Sequence, residues 1–188
     1  MIKAIVFDCF GVLAEDAWLP FKRQYIGNDL SLATQIADLG KQNEYGFITN
    51  NEYFRSVSDL LGVPEPTLKR ALTHKVPNAQ LLAYITATLT PHFKIGLLSN
   101  ANFDVVTEIF NKDQAQIFDA TALSYECGLI KPDPRIFELI ANRLGVLPSE
   151  CILVDDVERY CTAAEQVGMK SIVYQNTDQT IADINQFL

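Results

Sequence analysis

Lys3-Ala4-Ile5-Val6-Phe7-Asp8 opens the chain with a β-branched and aromatic run that ends on a carboxylate, and Gly11 follows shortly after. Such a run suits a buried strand that leads into a turn and delivers Asp8 to its carboxyl end. Four further apolar runs have the same character: Phe93 to Leu98, Ile117 to Leu123, Cys151 to Val154 and Ser171 to Tyr174. Helical patterns lie between them. Ile136, Phe137, Ile140 and Leu144 share one helix face, and Gly145 is placed to stop that helix. The segments Phe103 to Phe110 and Asp156 to Gly168 read the same way. This alternation predicts an α/β fold with a mainly parallel sheet covered by helices on both faces, and its ligands belong beyond the carboxyl ends of the strands.

The stretch from Glu15 to Asn78 shows helical periodicity without a convincing strand, as an inserted helical unit would. Thr49-Asn50-Asn51-Glu52 reads as a capping box ahead of Tyr53, Phe54, Val57, Leu60 and Leu61, and Gly62 with Pro64 closes that helix. Pro64 to Lys75 and Asn78 to Leu89 carry further helical patterns. Trp18, Phe21 and Tyr25 suit either a lid or the packed interior of the insertion, and Lys22 and Arg23 stand open beside them.

A composition of 48% hydrophobic and 20% charged residues in 188 calls for one packed core with at most a small insertion. The net charge of −8, with no Lys/Arg stripe, excludes a broad nucleic-acid footprint and favours a small-molecule partner. No apolar stretch approaches the roughly 20 residues that cross a bilayer. Cys9, Cys127, Cys151 and Cys161 form no C-x-x-C pair, and no secretory pattern opens the chain, so a cytoplasmic monomer or homodimer is expected. His74 and His92 lack a metal-ligand spacing and read as ordinary residues.

Four segments gain weight from occurring together, in order, each at a strand end. Phe7-Asp8-Cys9-Phe10-Gly11 sets a carboxylate before a glycine-permitted turn; Cys9, by strand alternation, turns away from Asp8 into packing. Leu97-Leu98-Ser99-Asn100 places a hydroxyl and an amide where a helix is expected to start, a position that suits phosphate oxygens or an N-cap. Lys131-Pro132-Asp133-Pro134 holds a cation in a stiff loop, where it can neutralise a phosphoryl group. Asp155-Asp156 ends an apolar strand with two like charges that need a counter-cation, and Mg²⁺ prefers such hard oxygen ligands.

Together, Asp8 with its glycine turn, Ser99, Lys131 followed by proline, and Asp155-Asp156 resemble the four ordered motifs of the haloacid dehalogenase superfamily over nearly the whole chain. The resemblance implies a Rossmann-like core of residues 1–14 and 79–188 with an α-helical cap, residues 15–78, between the first and second motifs. It implies a Mg²⁺-dependent hydrolase of a small phosphorylated metabolite, with Asp8 as nucleophile and an aspartyl-phosphate intermediate. Ser99, Asn100 and Lys131 would then hold the phosphoryl group, and Asp8, Asp155, Asp156 and the Phe10 carbonyl would hold the metal.

One position departs from the phosphatase members, in which a second Asp stands two residues after the nucleophile as acid and base. Here it is Phe10. Loss of a positioned general acid costs about 10²- to 10⁴-fold in rate. A phosphatase would need a good leaving group or a borrowed donor such as Glu15, Asp16 or a cap residue. A dehalogenase working through an ester on Asp8, or a slow phosphate-binding module, are the alternatives; the adjacent acids count against the former. Receiver domains place their acidic pair earlier, and no G-x-G-x-x-G marks a dinucleotide site.

Overall fold

The structure is a computed structural model that describes residues 1–73 and 75–188, without the side chains of Leu19 and Thr73; His74 lies outside the described residues. Five strands, β1 (Ala4–Phe7), β2 (Lys94–Ser99), β3 (Ala120–Leu123), β4 (Cys151–Asp155) and β5 (Lys170–Val173), form one sheet in the order β3-β2-β1-β4-β5. Every pairing is parallel, as the sequence predicts. The opening run is the central strand, and all of its residues are buried because both faces of the sheet are covered.

Among the described residues the α-helices are, in chain order, α1 (Trp18–Tyr25), α2 (Leu30–Glu44), α3 (Asn50–Leu61), α4 (Glu65–Thr73), α5 (Ala79–Tyr84), α6 (Val105–Ile109), α7 (Lys112–Ala115), α8 (Ser124–Cys127), α9 (Pro134–Leu144), α10 (Glu158–Gln166) and α11 (Thr177–Phe187). A π turn, Ile85–Leu89, extends α5. Strand alternation divides the core into two apolar layers. Ile5, Phe7 and Cys9 pack with Leu81, Ile85 and Ile184 on one face. Ala4 and Val6 pack with Ile136, Phe137, Ile140 and Ala164 on the other. Gly96 lets α9 approach the sheet closely, since a β-carbon there would lie 3.0 Å from Leu144 and 3.2 Å from Val6. The expected stop at Gly145 is present, with a left-handed residue capping α9.

Helices α1 to α4 gather a separate apolar cluster of Phe21, Ile26, Ile36, Tyr53, Val57, Val63 and Leu68. Phe21 belongs to this cluster, and Trp18 and Tyr25 pack partly buried against it. The capping box forms: Thr49 Oγ1 accepts from the Glu52 N–H, and Glu52 accepts from the Thr49 N–H. The chain enters and leaves this unit at one place, where the Glu15 N–H donates to Val76 O at 3.0 Å and the Asn78 N–H to Leu13 O at 2.8 Å.

Two expectations shift. The third strand begins at Ala120 rather than Ile117, because Ile117 packs into the core from the turn before it. The helix expected at Ser99 starts at Val105, where Asp104 accepts from the N–H groups of Val106 and Thr107 and so takes the N-cap.

Candidate active site

The parallel register brings the ends of β1 and β4 level. Phe7 pairs with Val154, so Asp8 and Asp155 leave the sheet side by side at its carboxyl edge. The Asp8 N–H donates to Val154 O at 2.9 Å. Asp156 follows directly, and one carboxylate oxygen from each of Asp8, Asp155 and Asp156 lies within 4.8 Å of the others. Gly11 closes the turn beneath them at φ +84°, and a β-carbon there would stand 2.5 Å from Asp156 Oδ2. Conformation and space both require glycine at this position.

Lys131 enters the cluster from the loop before α9. Its ammonium, 2% exposed as a residue, lies 2.7 Å from Asp8 Oδ1 and 2.5 Å from Asp155 Oδ2. The other Asp155 oxygen accepts from the Val157 N–H at 2.9 Å. The Tyr160 ring faces the ammonium with its centroid 5.0 Å away. Burial disfavours the charge on Lys131, but Asp8 and Asp155 outweigh it and hold the ammonium above its ordinary range. Burial pushes the Asp8 carboxyl up, Lys131 pulls it back, and Asp155 adds repulsion, leaving it at about 7. Asp156 is raised by burial and then by Asp155. Three carboxylates against one ammonium leave an excess of negative charge on hard oxygen donors, which fits a divalent cation of the Mg²⁺ kind.

The loop after β2 is braced residue by residue. Ser99 is fully buried, and its hydroxyl is an unsatisfied polar atom among the described residues. Such an atom needs a partner that the protein itself does not supply. Asn100 spends its amide on the backbone of Lys131. The Ala101 N–H donates to Ser124 Oγ at 2.9 Å. Asn102 reaches the helical unit, donating to Asn43 Oδ1 and, at 2.6 Å, to Asn50 Oδ1. This amide cluster ties the helical unit to the core.

A cavity of about 320 Å³ opens between the two units. Asp8, Phe10, Asp156 and Tyr160 line it from the core, with Asn100 to Phe103 along one side. Trp18, Asn43, Glu44, Tyr53 and Phe54 line it from the helices. Of the three aromatic residues weighed for a lid, Trp18 is the one on this wall; Phe21 and Tyr25 are absent from it. Lys22 lies over the Trp18 ring at 5.6 Å. Asp16 also reaches the cavity, but its Oδ1 accepts from the Trp18 N–H at 2.8 Å. Cys9 is wholly buried, and burial, then Asp8, drive its thiol far above the ordinary range, so it is a packing residue.

Two groups in this cavity escaped the sequence reading. Lys75, just beyond α4, sets its ammonium 4.8 Å from the Phe10 ring centroid and 3.6 Å from that of Phe103. Burial lowers its pKa. Glu44, the last residue of α2, is raised by burial. Neither belongs to a sequence motif, and no local signal marks either one.

Among known proteins, a D-ribitol-5-phosphate phosphatase of Bacteroides thetaiotaomicron is 28% identical over 193 residues, spanning 94% of this chain and 93% of that one. A crystal structure of a haloacid dehalogenase (HAD) family enzyme from the same organism, in complex with magnesium and inorganic phosphate, superposes with a TM-score of 0.70 at 27% identity, covering 93% of this chain and 95% of that chain. Several other curated relatives are spanned over less than half their length: a phosphatase of Mycobacterium tuberculosis, 30% identical over 89 residues, matches across 46% of this chain and 41% of its own. The family profile of the haloacid dehalogenase-like hydrolases matches residues 2–168, the whole stretch that builds the acidic cluster, the lysine and the cavity above them. With the all-parallel sheet and the ordered strand-end residues, this match makes the chain a member of the haloacid dehalogenase-like hydrolase family.

Proposed function

We propose that this hydrolase is a Mg²⁺-dependent phosphomonoesterase acting on a small phosphorylated metabolite in the cytoplasm, with Asp8 as nucleophile. The observation that carries the reading is the convergence of Asp8, Asp155, Asp156 and Lys131 in one cluster, with Asp8 and Asp156 at the floor of the cavity. Asp8, Asp155, Asp156 and the Phe10 carbonyl would hold Mg²⁺, which supplies positive charge against the equatorial oxygens of the phosphoryl group. Ser99 offers its unpartnered hydroxyl to a phosphoryl oxygen, and Lys131 offers its ammonium. Asn100 acts beside them by fixing where Lys131 sits.

Asp8 attacks phosphorus as the ester oxygen departs, giving an aspartyl-phosphate that water then hydrolyses. A carboxylate is the reactive form, and the Lys131 ammonium 2.7 Å away favours it. Residues 15–78 act as the cap, setting aromatic and amide groups over the leaving group. The polyol phosphate named for the B. thetaiotaomicron relative supports a small hydroxylated leaving group, which the mixed aromatic and amide wall suits.

The test is phosphate release from p-nitrophenyl phosphate with and without Mg²⁺, in the native protein and in Asp8→Asn. Metal-dependent release that Asp8→Asn abolishes is the expected result. Halide release from a 2-haloacid without metal, in place of phosphate release, would overturn the reading in favour of dehalogenation.

A further inference from the structure

A phosphatase with phenylalanine at position 10 has lost the proton donor for its leaving group, and the cavity contains a carboxyl group able to take over. We propose that Glu44, carried on the last turn of α2, is the general acid and base of this enzyme; the role rests on the phosphatase reading above.

Elimination among the acids narrows the choice. Glu15 is exposed and lines a different cleft, beside Pro20 and Val76. Asp16 holds one oxygen on the Trp18 N–H and faces the cleft of Glu15 as well as this cavity. Asp8 and Asp156 belong to the acidic cluster at the floor. Glu44 lines the same cavity as Asp8, from the opposite wall, and accepts no hydrogen bond among the described residues. Its placement is fixed by its neighbour, because Asn43 is held to Asn102 of the core loop and, at 3.0 Å, donates to Asn50. The same loop carries Asn100, which sets the position of Lys131. One braced segment thus registers both walls of the cavity.

The environment favours the protonated form in which a donor must start. Burial raises the Glu44 carboxyl, against the lowering influence of Lys131, Arg159, Lys41 and Lys22. Tyr53 on α3 is a further titratable group in its surroundings, and Asp16, Lys75 and Tyr160 line the same cavity. The carboxyl also stands at the C-terminal end of a fifteen-residue helix, where the negative pole of the backbone dipole opposes a negative side chain.

In the first step the bond from Asp8 to phosphorus forms, the bond from phosphorus to the ester oxygen breaks, and the Glu44 proton passes to that oxygen. In the second, water attacks the aspartyl-phosphate from the place the alcohol has left. Its proton passes to the Glu44 carboxylate, the bond from Asp8 to phosphorus breaks, and phosphate leaves. Glu44 ends protonated and Asp8 ionised, as both began.

The experiment compares p-nitrophenyl phosphate, whose leaving group needs little protonation, with phenyl phosphate, whose leaving group needs more. In Glu44→Gln, turnover of phenyl phosphate should fall by about 10²-fold or more while turnover of p-nitrophenyl phosphate falls by less than about 10-fold. The fall in native kcat/KM for phenyl phosphate at alkaline pH, caused by loss of the Glu44 proton, should disappear in this variant, and Glu44→Asp should recover part of the rate. Equal losses on both esters, or no loss, would overturn the role. A native protein that hydrolyses neither ester would instead overturn the phosphatase reading, and this role with it.

Discussion

Asn100 grips the main chain of Lys131 at both of its polar groups: Nδ2 donates to the carbonyl oxygen at 3.1 Å, and Oδ1 accepts from the amide N–H at 2.8 Å. The pair joins the end of β2 to the loop before α9, two segments that no strand pairing links. In Asn100→Ala both bonds are lost. Chemical denaturation should show a loss of about 1–3 kcal/mol, from two hydrogen bonds at the usual net value. Turnover at saturating substrate should fall further than Asn100→Asp, which retains the acceptor. Equal turnover in the two variants would show that Lys131 is positioned without this clamp.

Lys131 seats its ammonium between two buried carboxylates, so its removal should be severe. Lys131→Met should destabilise the protein by about 3–5 kcal/mol, as expected when a buried ion pair loses one partner. Added Mg²⁺ should raise the thermal midpoint of this variant more than that of the native protein, because the cation replaces the missing charge. A variant as stable as the native chain and indifferent to Mg²⁺ would contradict the electrostatic account of the cluster.

The ammonium of Lys75 between Phe10 and Phe103 is a cation–π contact that joins the exit of the helical unit to the core. A double-mutant cycle with Lys75→Met and Phe103→Leu should give a coupling energy of about 0.5–2 kcal/mol. Simple additivity would mean that the rings and the ammonium contribute independently.

Glu52 supplies a pH-dependent contribution with a definite sign. The Thr49 N–H, then the Thr49 hydroxyl, hold its carboxyl below its ordinary value of 4.5. A folded-state value below the unfolded one gives stability that is present above the ordinary carboxylate range and lost as the pH falls through the folded value. Thermal midpoints of native and Glu52→Gln proteins should therefore differ at neutral pH and converge in acid. A gap that persists in acid would place the contribution elsewhere.

The centre of the sheet was legible because β1 and β4 are buried along their whole length and so read as apolar runs, with Asp8 and Asp155 marking where they end; the edge strands β3 and β5 are only partly buried and mark themselves less sharply. Thr49 and Glu52 were legible because a capping box is a local device with a fixed spacing. Ser99 misled as a helix start, since the preference for a capping oxygen was equally met by Asp104 five residues later. Glu44 and Lys75 were silent for a different reason. Each gains its surroundings from a tertiary contact, through the Asn43–Asn102 bond in one case and the Phe10 and Phe103 rings in the other. No window of sequence around either residue contains its partners.

The doubled crossing at Leu13–Glu15 and Val76–Asn78 has a consequence for the excursion between them. Because departure and return are stitched together by backbone bonds, the sheet and its acidic edge are anchored independently of how many residues lie beyond the stitch. At the stitch itself, lengthening or shortening that excursion adds a weakly length-dependent closure entropy. Replacing the excursion therefore changes what lines the cavity from the helices, while the stitch holds the strand ends beneath at the same spacing.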